Sequence, residues 1–190
     1  MFTSVSHSAI IAFTNVDIPI VTTNAGTSVN LETGASANTD VLAGGSVNFF
    51  FGGAGISNEA DNSLAAPVFQ PIRLGTGNLD TIDNRTPGTL VSGANTFSTG
   101  FGGSGDHIGN TFDAGAPGYI GFSLDTNDFG VVYGWIEVTL NPNTANGTIH
   151  SWAFESSGAP IVVGAVPEPT AIVLSAMGLM VCCLRRKRVS

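Results

Sequence analysis

Apolar and polar positions alternate most clearly in the last third of the chain. Across residues 119–125, Ile120, Phe122 and Leu124 fall on one side of an extended strand. In the next run Val132, Ile136, Val138 and Leu140 do the same, and Thr126-Asn127-Asp128-Phe129-Gly130 between the two is rich in turn formers. Residues 141–147, dense in Asn, Gly and Pro, separate the second run from a third strand at 148–155. The pattern predicts a three-stranded antiparallel meander. Residues 9–16, 47–51, 68–74 and 89–91 read as earlier strands, joined by Gly-, Asn- and Ser-rich connections, and no amphipathic helix is sustained before residue 171. Short strands broken by turn signals predict an all-β domain over residues 1–160, a β-sandwich or a jelly-roll-like fold.

Composition agrees with this picture. The 190 residues include 25 Gly and only 11% charged residues, where a soluble domain usually carries about 25%. Gly is costly inside a helix, and long charged side chains are the usual helix surface, so this usage favours strands and turns. The length leaves room for one domain with a real core. All 14 acidic residues lie at or before Glu168, against only Arg73 and Arg85, a balance of −12 for the body. Such a body has nothing basic with which to displace counterions from phosphate, which excludes nucleic acid as a partner. Cys182 and Cys183, the only cysteines, fall in an apolar run and read as small hydrophobes.

That run, AIVLSAMGLMVCCL at residues 171–184, would form a helix of about 21 Å, shorter than the hydrocarbon core of about 30 Å. The flanks decide its meaning. Arg185, Arg186, Lys187 and Arg188 follow as a stop-transfer cluster, kept on the cytoplasmic side and able to snorkel. Before it, Pro167 and Pro169 fix an extended backbone with Glu168 exposed between them. Residues 161–170 therefore read as a linker, 171–184 as a single transmembrane helix and 185–190 as a basic cytoplasmic tail.

Together, Val166-Pro167-Glu168-Pro169, the apolar run and Arg-Arg-Lys-Arg resemble the PEP-CTERM sorting domain of exopolysaccharide-producing Gram-negative bacteria. The resemblance covers about the last 25 residues. It implies that Pro167, Glu168 and Pro169 are the recognition motif of an exosortase, an integral-membrane transpeptidase that resembles cysteine proteases. It further implies passage through the inner membrane, then residence at the cell surface or in the extracellular matrix, with exopolysaccharide as a neighbour. The segments Gly118-Tyr-Ile-Gly-Phe122 and Tyr133-Gly-Trp135 resemble the region that precedes the signal in many PEP-CTERM exoproteins. That group supplies no activity to transfer. An exported protein of this kind needs a leader, yet MFTSVSHSAIIAF carries no basic segment and only five apolar residues at 9–13. The expectation is that the true start lies upstream.

The body offers little chemistry. His7, His107 and His150 lack metal-ligand spacing, and Asp106 and His107 point to opposite faces of an extended chain. No nucleophile elbow is present. No catalytic residue, resident metal or cofactor is implied, and the protein reads as a non-enzyme. Asp125-Thr-Asn127-Asp128 opens like a calcium loop but fails at Phe129 and Ile136, leaving Asp80, Asp83, Asp125 and Asp128 as an alternative acidic set. Alternation puts Tyr133, Trp135 and Glu137 opposite the Val132, Ile136 and Val138 face. The two aromatics, together with Trp152, are candidate glycan contacts in a lectin-like reading, or else they pack under a loop or a second sheet. Phe51-Gly-Gly-Ala-Gly55 and Phe101-Gly-Gly-Ser-Gly105 lack the lysine of a phosphate loop and read as flexible or tight turns.

Overall fold

The computed structural model describes residues 9–58, 68–76, 81–98, 106–107 and 111–167. Among the described residues thirteen strands occur in chain order. They are β1 (Ile10–Phe13), β2 (Ile18–Ile20), β3 (Thr27–Val29), β4 (Ser36–Ala37), β5 (Val47–Phe50), β6 (Gly55–Asn58) and β7 (Val68–Pro71). Then come β8 (Leu90–Val91), β9 (Asp106–His107), β10 (Pro117–Thr126), β11 (Gly130–Thr139), β12 (Gly147–Glu155) and β13 (Ile161–Val162). The only helical element among the described residues is a 3-10 turn at Phe51–Gly53, and none is long and apolar enough to cross a membrane.

The strands form a main sheet ordered β1-β12-β11-β10-β7, with β2 also on β12, and a second sheet ordered β4-β3-β5-β6-β9. The predicted meander β10-β11-β12 is the heart of the main sheet, and the turn at 126–130 connects its first two strands. Thr126 closes that turn, its hydroxyl donating to the Gly130 carbonyl at 2.9 Å and accepting the Phe129 N–H at 2.8 Å. The expected all-β, sandwich-like fold is observed. Val29, Val47, Phe49 and Ile56 of the second sheet pack against Phe69, Ile120, Phe122, Leu124, Val132, Ile136, Val138, Trp152 and Phe154 of the main sheet.

The other face of the main sheet is also covered. A two-stranded ribbon, β8 with β13, lies over it, and Ile72, Val91, Trp135, Ala153, Ile161 and Val163 form a second, smaller core. Gly121 makes this possible, since a Cβ there would lie 2.6 Å from the Ile72 Cδ1. The body therefore does not end at residue 160: Ile161 and Val163 are buried, and part of the expected 161–170 linker is folded strand. The Phe51–Gly53 turn is tight rather than flexible. Gly52 has φ +69°, and a Cβ would meet the Ala145 carbonyl oxygen at 2.2 Å, so only Gly fits against the 141–146 loop. The related 101–105 segment lies outside the described residues.

Candidate functional site: a polar cleft on the main sheet

One irregularity determines what the outer face of the main sheet presents. Along β11–β12 the register runs Ile136 with Trp152 and Glu137 with Ser151, then shifts, so that Val138 faces Ile149. His150 is the extra residue of a β-bulge, which re-aims side chains and occurs often beside functional sites. The bulge switches the inward positions of β12 from odd (Ile149) to even (Trp152, Phe154) and leaves His150 and Ser151 together on one face.

The bulge is matched on the neighbouring edge. Strands β1 and β2 both pair with β12, β1 along 152–155 and β2 along 147–149, and residues 14–17 cross the gap between them. The Val16 N–H donates to the His150 carbonyl at 3.0 Å. Asn15 and Asp17 on either side adopt φ +55° and +45°, a left-handed conformation that Asn and Asp tolerate better than most residues but which still costs free energy. The Asp17 carboxylate then lies 2.9 Å from His150 Nδ1, and His150 Nε2 lies 2.8 Å from the Thr139 hydroxyl.

A second polar row crosses the sheet next to this one. Tyr119, Glu137 and Ser151 are cross-strand neighbours on β10, β11 and β12. Tyr119 donates its hydroxyl to Glu137 Oε1 at 3.1 Å, and Ser151 donates to Oε2 at 2.7 Å. Burial first, then the Glu137 charge and its hydrogen bond, raises the Tyr119 phenol above its ordinary value, so it stays a neutral donor. Trp135 forms the next row, edge-on to Tyr119 with ring centroids 5.8 Å apart, and its Nε1 donates to the Ala165 carbonyl at 3.1 Å. These groups enclose a cleft of about 400 Å³, lined by Thr14, Asn15, Asp17, Tyr119, Glu137 and His150 among others, and bordered by Gly164 and Val166.

The Thr139 hydroxyl, which pairs with the imidazole, lies outside the lining of the cleft. No group of three or more His, Cys, Asp or Glu among the described residues is placed to hold a metal, and Asp83 is engaged by Arg85 at 2.8 Å. Asp80 lies outside the described residues.

The candidate glycan contacts fare unequally. Trp152 is wholly buried in the sandwich core, stacked on Phe13 at 4.8 Å and donating its Nε1 to the Leu31 carbonyl. Trp135 is 2% exposed beneath the ribbon. Trp152 is enclosed within the core, whereas Trp135, though buried, is among the residues that line the cleft. Tyr133 is half-buried and stacked on Phe97 at 5.9 Å. Trp135 packs under the ribbon, and Trp152 packs between the two sheets. Pro167 closes the described part of the chain, while Glu168, Pro169, residues 171–184 and Arg185, Arg186, Lys187 and Arg188 lie outside it.

Asp17, Asn15 and His150 were not candidates on the sequence. The available signal was the spacing Ile149, Trp152, Phe154, in which one step of three interrupts a period of two. No family model, curated protein or solved structure matches this chain.

Proposed function

We propose that this chain is an exported, non-catalytic bacterial protein that an exosortase sorts to the cell surface or extracellular matrix. In this reading Pro167, Glu168 and Pro169 are the recognition motif. Residues 171–184 would cross the inner membrane as a helix before processing, with Arg185, Arg186, Lys187 and Arg188 holding its cytoplasmic side. The observation that carries the reading is the order Pro-Glu-Pro, apolar run and four bases in the sequence. The packing of the body supports it, since among the described residues the last hydrogen-bonded backbone group is the Ala165 carbonyl, two residues before Pro167. An enzyme acting at the motif would meet an extended peptide beside a closed domain. The test is Glu168→Ala in a host that carries an exosortase, followed by cell fractionation. Retention of the unprocessed chain in the inner membrane is expected. Equal surface delivery of the variant, or of the wild type in an exosortase-deleted host, refutes the reading.

A second reading, a glycan-binding body associated with exopolysaccharide, is favoured by the polar cleft on the main sheet.

A further inference from the structure

We infer that the cleft between the 14–17 crossing and the Tyr119–Glu137–Ser151 row binds a neutral saccharide unit through Asp17 and Glu137. The inference rests on the glycan-binding reading and is independent of the sorting signal.

Size and chemistry together select the ligand. A volume of about 400 Å³ lies within the roughly 300–1,000 Å³ of small-ligand pockets. Sugar hydroxyls need many donors and acceptors at close quarters, and the lining supplies two carboxylates, an amide, an imidazole and three hydroxyls. The Asp17 side chain is 68% exposed and spends one oxygen on His150, which leaves acceptor capacity facing solvent. Glu137 accepts one hydroxyl on each oxygen, and each carboxylate oxygen can accept a second bond. Tyr119 adds an aromatic wall held edge-on by Trp135. Phosphate, sulfate and uronate ligands are disfavoured, because two carboxylates face them and His150 is the only basic side chain in the lining.

The backbone is specialised at the same place. The bulge at His150 and the left-handed Asn15 and Asp17 converge on this cleft, although a regular pairing of β1–β2 with β12 would need neither. Together they place Asp17 and His150 beside the Glu137 row.

The experiment uses the full chain in a non-glycosidic detergent on an array of neutral, amino and acidic glycans, with affinities then measured by calorimetry. Binding of neutral saccharides is expected. Asp17→Asn keeps the residue's tolerance of positive φ, and Glu137→Gln keeps its shape; each should weaken binding at least about tenfold, the scale of one hydrogen bond to a charged group. Asp113→Asn, an exposed acidic position outside the cleft, should leave affinity unchanged. Circular dichroism checks that each variant is folded. Absence of any glycan binding overturns both this inference and the glycan reading. Binding restricted to charged glycans, or neutral binding that folded Asp17→Asn and Glu137→Gln leave intact, overturns the assignment of the cleft alone.

Discussion

Replacing Trp135 tests whether the outer face of the main sheet is a second core or an open surface. Trp135 is 2% exposed and packs with Ile72, Val91, Ala153, Ile161 and Val163. Trp135→Ala removes the ring and leaves a cavity under the ribbon, a change that typically costs about 3–5 kcal/mol. Against a whole-domain stability of about 5–15 kcal/mol, that is a large fraction. For a body of this length each kcal/mol moves the melting temperature by about 2–4 °C, so a fall of roughly 6–20 °C is expected. Trp135→Phe keeps most of the ring but deletes the Nε1 bond to Ala165. Its cost should be about 1 kcal/mol from the hydrogen bond, with a smaller packing loss added. The measurement is urea and thermal unfolding followed by circular dichroism. A Trp135→Ala protein within about 0.5 kcal/mol of wild type, the range of ordinary surface changes, would falsify the second core.

Three further perturbations probe separate parts of the fold. Gly134→Ala places a Cβ 2.2 Å from Phe122 Cζ and 2.6 Å from the Ala153 carbonyl oxygen; because one obstacle is backbone, a loss of about 3 kcal/mol or more should appear as low soluble yield and early urea unfolding. Glu155 is 3% exposed, and its Oε2 accepts the N–H groups of Ser157 and Ala159 at 3.0 and 2.9 Å and the Ser157 hydroxyl. Glu155→Ala should cost about 1–3 kcal/mol in urea unfolding by stranding those donors, with Glu155→Gln recovering part of it. Burial, then the charge of Asp128, raises the Glu32 carboxyl above its ordinary value. The folded state therefore holds that proton more tightly than the unfolded chain. Its contribution is present in acid and lost as pH rises through the raised value. Glu32→Gln should accordingly melt higher than wild type at pH 7, with the advantage shrinking as pH falls through the raised value and gone below the ordinary value of 4.5; an advantage constant with pH refutes the assignment.

The meander was legible because most of its inward positions are large and alternate, Gly134 and the step from Ile149 to Trp152 excepted, and Thr126–Gly130 is built of turn residues. The strands β3 and β6 were not, since Thr27-Ser28-Val29 and Gly55-Ile56-Ser57-Asn58 look like the loops around them. Their partners, not their propensities, make them strands. The outer layer was hidden for a different reason. Alternation says that two faces differ; it does not say that one is wet, and a sheet buried on both sides reads ambiguously. The ribbon that covers Trp135 comes from residues 90–91 and 161–162, whose pairing spans some 70 positions and has no local signature. The bulge is subtler still, because it changes the face of two residues without changing their composition.

The two halves of that outer face depend on each other. In the row of Trp135, the neighbours on either side are Gly121 and Ala153, small enough to let the indole lie down and the ribbon close over it. One row along, Tyr119 and Ser151 flank Glu137, and all three line the cleft. The ribbon continues into Gly164 and Val166, which form one edge of the cleft, and Trp135 ties that edge down through Ala165. Loosening the second core should therefore remove a wall of the cleft without touching a ligand. A loss of glycan affinity in Trp135→Ala is thus no sign of stacking on the indole. Trp135→Phe separates filling from tie: it retains the apolar filling but deletes the Ala165 bond, so affinity and stability should both fall less than in Trp135→Ala. Affinity lost as fully in Trp135→Phe as in Trp135→Ala, with the melting temperature unchanged, would refute the claim that the apolar filling holds the wall.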